Sequence, residues 1–142
     1  MAKKGDKITK PPIGSVEDPN SLYHFMLRYL EAQRVLNRSA ASLQTLEYNL
    51  RGFIRWCEDR GLQRPNEISK PVLDRYQKHV FYYRKPNGAP LSISAQCNYL
   101  SAVKAYFKWL ARQNYIMYNP ASEIDLPKSG HTLPTQVLSL ER

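Results

Sequence analysis

Apolar side chains recur along this chain at spacings of three and four, the period of an α-helix, and nowhere alternate strictly with polar ones as in a half-buried strand. A proline inside a helix removes a donor and clashes with the preceding turn, so the ten prolines mark where helices stop. They avoid two long stretches, Asn20 to Arg64 and Leu91 to Asn119. Asn87-Gly88 is a hairpin dipeptide by type, but Pro86 and Pro90 bracket it and no β-branched run flanks it. The pattern predicts an all-α protein.

Four helices follow. The first is expected to start at Asp18-Pro19, an acceptor at the N-cap and a proline at the position whose N–H has no partner, and to bury Leu22, Met26, Tyr29 and Leu30. A break at Asn37, Arg38 and Ser39 leads to a second helix that ends at Gly61, where a left-handed residue suits glycine. Its apolar face reads Leu43, Leu46, Leu50, Phe53, Ile54 and Cys57. Ser69 caps a third helix running to about Tyr83, with Ile68 and Leu73 placed as a hydrophobic staple. The polar segment from Arg84 to Pro90 is a loop by its turn chemistry. It delivers the chain to a fourth helix from about Ser92 to Tyr115, whose apolar face is Ile93, Cys97, Leu100, Val103, Phe107 and Leu110. Asn119-Pro120 closes it. Residues 1–17 read as a flexible basic tail, 18–119 as one helical domain, and 120–142 as an extended linker.

Length and composition fit that single domain: 142 residues match one ordinary core. No apolar run approaches the roughly 18 residues of a membrane span, and MAKKGDKITKPP lacks the apolar stretch of a secretory signal, so a soluble, cytoplasmic chain is expected. Two cysteines, Cys57 and Cys97, are too few for a disulfide scaffold and lie on apolar faces, where buried, inert thiols are the ordinary case. His24, His79 and His131 have no partner at metal-ligand spacing. No metal and no cofactor is expected.

Charge changes the picture. Lys and Arg number 21 against 12 Asp and Glu, a net of +9, which favours a polyanionic partner without defining a fold. From Arg75 through Ser122 there is no acidic residue at all, while Arg75, Lys78, Arg84, Lys85, Lys104, Lys108 and Arg112 all fall there. Opposite the apolar stripe of the fourth helix lie Ser94, Asn98, Ser101, Lys108 and Arg112, with Lys104 on the flank. A helix entering a DNA major groove needs such a face. Short side chains let its axis approach the base edges, Asn can pair with adenine, and cations reach the flanking phosphates. The second helix offers a comparable face in Ser42, Gln44, Thr45, Tyr48 and Arg51. One polar helix face is ordinarily just solvated; two of them beside an acid-free stretch are not the ordinary case. Most of the ten tyrosines are expected in packing, with Tyr48 singled out as a phosphate contact.

The run from Ser42 to Trp56, followed by Arg60-Gly61-Leu62, resembles the T-L-x-x-Y-x-x-D-L-x-x-F-x-x-W…R-G-L pattern of the core-binding domain of tyrosine recombinases of the phage integrase and Xer type. The run from Leu100 to Leu110 is similar to the family's L-S-A-[VL]-[RK]-x-x-F-x-x-L helix. Asn119-Pro120-Ala121, Pro127-Lys128 and Leu133-Pro134 resemble its N-P-A…P-K…L-P exit. The chain carries Leu46 and Asn49 where the family usually has Tyr and Asp, and Asn98 where many members have Arg. The resemblance implies a compact SAM-like bundle of four to five helices that forms half of a clamp around a recombination site, second and fourth helices near the major groove. It also implies further recombinase protomers on the DNA, and a catalytic domain with its nucleophilic tyrosine beyond the L-P linker.

The expected function is therefore sequence-selective binding of double-stranded DNA, without strand cleavage by these residues. The backbone-following contacts would come from Arg84 and Lys85 in the basic loop. An enzyme is disfavoured because no Gly-rich phosphate loop, nucleophile elbow or metal spacing is present, and a tyrosine cannot attack a phosphodiester without a cationic cluster around the reacting phosphate. The alternative is a non-catalytic basic scaffold for acidic proteins or anionic surfaces. A membrane partner is not expected, since each apolar face is needed for the common core.

Overall fold

The computed structural model describes residues 17–128. Helix α1 spans Leu22–Val35, α2 Ala40–Glu58, α3 Lys70–Tyr82 and α4 Ile93–Arg112, with one short 3-10 turn, Pro65–Glu67, ahead of α3. No strand forms among these residues; a single isolated bridge pairs Arg84 with Pro90. The all-α expectation holds. Among the described residues no helix is long and apolar enough to cross a membrane.

Three helices stop in the same way, and the sequence explains each. After α1, α2 and α4 a left-handed residue appears, Asn37 (φ 66°), Gly61 (φ 75°) and Asn114 (φ 66°). The next amide then reaches back to a carbonyl of the last turn: Arg38 to Gln33 at 3.2 Å, Leu62 to Cys57 at 2.9 Å, Tyr115 to Leu110 at 2.9 Å. This is the Schellman arrangement, in which glycine and asparagine bear the left-handed turn at least cost. It ends α4 at Arg112 rather than near Tyr115.

The start of α1 differs from expectation. Ser21 is the N-cap, its hydroxyl accepting from the His24 amide at 3.3 Å. Asp18 is taken by a more distant partner, since the Arg64 guanidinium donates to both of its carboxylate oxygens, at 2.8 and 3.2 Å. That contact closes a span of 46 residues and holds Asp18 below its ordinary carboxylate range, chiefly through the hydrogen bonds from Arg64 and the Asn20 amide.

The core is an aromatic seam between α2 and α4. Phe53 of α2 meets Phe107 of α4 edge-on at 5.9 Å and Tyr76 of α3 at 4.9 Å. Tyr106, fully buried, packs on Tyr29 of α1 at 5.7 Å and donates its hydroxyl to the Leu22 carbonyl at 2.7 Å. Leu50, Ile54, Cys57, Leu73, Leu100, Val103 and Leu110 fill the rest. The staple pair Ile68 and Leu73 is buried as expected. Leu43 and Leu46 are only half-buried, and Ile93 is exposed, because α4 enters the core only from Gln96 onward. The tyrosines depart in part from the packing expected of most of them: Tyr82, Tyr83, Tyr115 and Tyr118 face solvent, as does Tyr48, which the sequence already placed outside the packing. Burial pushes the Cys57 thiol well up, which makes it inert.

Two outcomes test this account. Phe53→Ala should lower the unfolding free energy by about 3–5 kcal/mol and Tyr106→Phe by about 1 kcal/mol in urea titrations, and equal small losses would contradict the seam. Asp18→Asn should destabilise modestly near neutral pH. Because the folded carboxyl sits below its ordinary value of 3.8, the difference from the parent chain should shrink as pH falls through and below that value.

Candidate nucleic-acid interface

The outward face of α2 divides along its length. Ser42, Thr45 and Asn49 stand at helical spacings and turn toward α4, where Asn98, Ser101 and Ala105 answer them across a shared groove. The groove is open, holds about 530 Å³, and has Leu43, Leu46 and Ala102 among its lining. Thr45 and Asn98, one from each of the two polar helix faces, thus lie on one side of the molecule. Asn49, only 5% exposed, donates from Nδ2 to the Asn98 backbone carbonyl at 3.4 Å. A carboxylate at this position could not donate to that carbonyl, which gives a physical reason for Asn rather than Asp here.

Cations extend the groove at one end. A neighbouring hollow shares Gln33, Arg38 and Ala105 with it and adds Lys108 and Arg112 of α4. Arg38 is a contributor that the helix patterns do not reveal; the left-handed Asn37 turns the chain back and the Arg38 Nε–H donates to the Gln33 side chain at 3.1 Å. Gln44 and Ser94 are exposed but line neither hollow.

Tyr48 and Arg51 do not join this groove. They face the opposite flank of α2, in a second cleft with Tyr76, His79 and Tyr83 of α3 and its C-terminus and with Tyr99 of α4. Arg51 is buried at 9% exposure, 3.6 Å from the Glu47 carboxylate, and so differs from the solvent-facing cation the sequence suggested. Helical rotation is the reason: Arg51 lies nine positions, about two and a half turns, beyond Ser42 and so faces the opposite flank, toward α3, with Tyr48 nearly a full turn before it on that same flank. Tyr48 remains 65% exposed at the mouth, and burial, followed by the hydrogen bond between the two hydroxyls, raises the Tyr99 phenol above its ordinary range. Arg84 and Lys85 stand exposed in a tightly wound loop. There the Lys85 amide donates to the Ala89 carbonyl at 2.8 Å, Gly88 (φ 87°) makes the turn, and the Arg84 guanidinium donates to the Tyr83 carbonyl at 3.0 Å.

Lys104 has a different occupation. It is half-buried and its Nζ donates to the Ile124 carbonyl at 2.7 Å. Gln77 of α3 donates to the Asp125 carbonyl at 2.7 Å, and the Cys97 thiol of α4 to the Pro127 carbonyl at 3.3 Å. Three side chains therefore hold residues 124–127 along α3 and α4, with Ala121 and Ile124 buried beneath. The sequence pattern alone implies an extended exit; its attachment depends on side chains brought together from 20 to 48 residues away. His131 and the 129–142 portion of the exit lie outside the described residues. Among the described residues no group of three His, Cys, Asp or Glu could hold a metal ion.

Residues 25–114 match the family described as the phage integrase, N-terminal SAM-like domain. The chain belongs to that family. Among curated proteins it is 48% identical over 120 residues to tyrosine recombinase XerC 2 of Ralstonia nicotianae, covering 84% of this chain and 35% of that protein. It is 32% identical over 111 residues to tyrosine recombinase XerC of Escherichia coli, covering 78% and 35% respectively. The chain thus spans about a third of the length of these relatives. The crystal structure of the N-terminal domain of a phage integrase/site-specific recombinase from Haloarcula marismortui shares the fold, with a TM-score of 0.63 at 23% identity over 75% of this chain and 96% of that one.

The hold on residues 124–127 has a direct test. Lys104→Ala should speed amide hydrogen exchange at Ala121 and Ile124 several-fold relative to the parent, while Lys108→Ala leaves both unchanged. Identical protection in all three chains would mean that Lys104 does not hold the exit.

Proposed function

We propose that this chain is the DNA-gripping N-terminal domain of a site-specific tyrosine recombinase, reading a recombination site through the groove between α2 and α4. One observation carries the reading: short polar side chains of two helices, Thr45 and Asn98 foremost, share one open groove beside a stretch from Arg75 to Ser122 that has no acid. Family membership and the XerC relatives support it.

Roles follow from position. Asn98 and Thr45 face base edges, Ser42 and Ser101 keep the approach close, and Lys108, with Arg38 and Arg112 beyond it, meets phosphates at one end. Arg84 and Lys85 follow the backbone at the other. Gln44 and Ser94 contact the flanks. Tyr48 lies on the margin as a phosphate contact, whereas Lys104 and Arg51 act through structure, the first by holding the exit and the second by filling the α2–α3 flank. The segment from Pro120 serves as the linker toward a catalytic domain that supplies the cleaving tyrosine, and further protomers assemble on the same DNA.

A duplex selected from a random pool by the chain itself provides the substrate. With about four to six phosphates neutralised, log K should fall against log[salt] with a slope of roughly −4 to −5, and Lys108→Ala should flatten that slope by about 1. Asn98→Ala should cost about 1–3 kcal/mol of discrimination at one base pair. Affinity that ignores salt overturns the electrostatic account, and a uniform loss in Asn98→Ala overturns direct readout. Nicked suicide DNA should give no covalent adduct with this chain; an adduct would assign it cleavage.

A further inference from the structure

The cleft on the α3 side of α2 is chemically unlike the groove. It holds about 680 Å³, within the range of small-molecule sites. Its walls are aromatic: Trp56 meets Tyr76 at 5.2 Å, His79 stacks near Tyr76 at 6.1 Å, and Tyr83 follows His79 at 6.1 Å. Its rim is cationic. Arg60 lies over the Trp56 ring at 4.2 Å and is fixed there by donating to the Trp56 carbonyl at 3.1 Å. The Arg55 side chain is exposed and makes no ion pair or hydrogen bond among the described residues, while Asp59 is the acid that lines the same cleft. Most telling is the indole of Trp56, 6% exposed, whose Nε1–H is buried without a hydrogen-bond partner. A buried donor that no protein atom meets is uncommon in a native fold, and this one belongs to a residue in the wall of the cleft.

An aromatic-lined cleft with cations at its mouth defines one ligand chemistry: an aromatic base carrying a phosphate. We propose that this cleft binds an unpaired nucleotide, the base lying against the exposed Tyr83 above a floor closed by Trp56 and Tyr76, and the phosphate against Arg55 and Arg60. Stacking on aromatic side chains beside cations is how single strands are held without base pairing. Asn49 is among the lining of both cleft and groove, so the two hollows adjoin on either flank of α2. An acidic protein segment would satisfy the cations but leave the rings unused, and the free nucleotide and an unpaired strand share the chemistry.

The two indole N–H signals of Trp56 and Trp109 provide the readout in nitrogen-15 spectra of the whole chain. Thymidine 5′-monophosphate and 5′-phosphorylated pentathymidylate should each move the Trp56 signal and leave Trp109 in place. Inorganic phosphate and tetraglutamate at the same concentration should not move it. Arg55→Gln, a change at an exposed site, should raise the pentanucleotide dissociation constant about tenfold, and Tyr83→Leu should weaken it comparably. Tighter binding of the pentanucleotide assigns the site to a strand, and equal binding assigns it to the free nucleotide. A still Trp56 signal, or one that phosphate or tetraglutamate moves as far, overturns the proposal. Binding of fully paired duplex is read separately through Lys108 and Asn98, so either idea can fail alone.

Discussion

The angle at which α2 lies against α4 governs every surface of functional interest. Phe53 against Phe107 supplies the apolar contact, and Asn49 on the Asn98 carbonyl supplies the polar contact, a helical turn nearer the α2 start. Tyr106 then ties the same helix to the first turn of α1 through Leu22. Apolar burial is strong but nondirectional. The two hydrogen bonds are weak net contributors, yet they are directional, and so they select one register among the packings that burial alone would permit.

That register makes α2 a dividing wall. Residues at i, i+3 and i+7 from Ser42 look toward α4, while Tyr48, Arg51 and Arg55 look toward α3. A single amphipathic helix with only one buried stripe would leave both sets on a common solvent face. Here α3 and α4 flank the helix on two sides, and the outward face becomes two concavities of different chemistry. Short neutral side chains make one shallow and open; aromatic rings and guanidinium groups make the other.

Most of the fold was legible because it rests on local rules. Prolines delimited the helices, Gly61 and Asn37 marked stops, and Leu50, Phe53, Leu100 and Phe107 fell on the expected stripes. What escaped was nonlocal. Asp18 looked like a cap until Arg64, 46 positions later, claimed it. Lys104 looked like one more cation of a basic face, and only the folded chain brings the Ile124 carbonyl to it. Arg51 illustrates a third limit: it shares a helix with Ser42 and Thr45, but nine positions of rotation put it on another flank, beside a helix whose location no periodicity reveals.

If α4 faces DNA as proposed, the position of Lys104 also bears on how that helix informs the chain beyond it. Cys97 and Lys104 touch the exit segment, whereas Asn98, Ser101 and Lys108, their neighbours on α4, face the groove side. Any rotation of α4 that improves the fit of Asn98 to a duplex must therefore drag the Pro127 and Ile124 carbonyls or break their hydrogen bonds. Packed interiors resist continuous deformation, so a small turn of a helix is passed on to what is bonded to it rather than absorbed. A freely jointed linker would lose that orientation within a few residues. An exit pinned at Ile124, Asp125 and Pro127 by two helices keeps it.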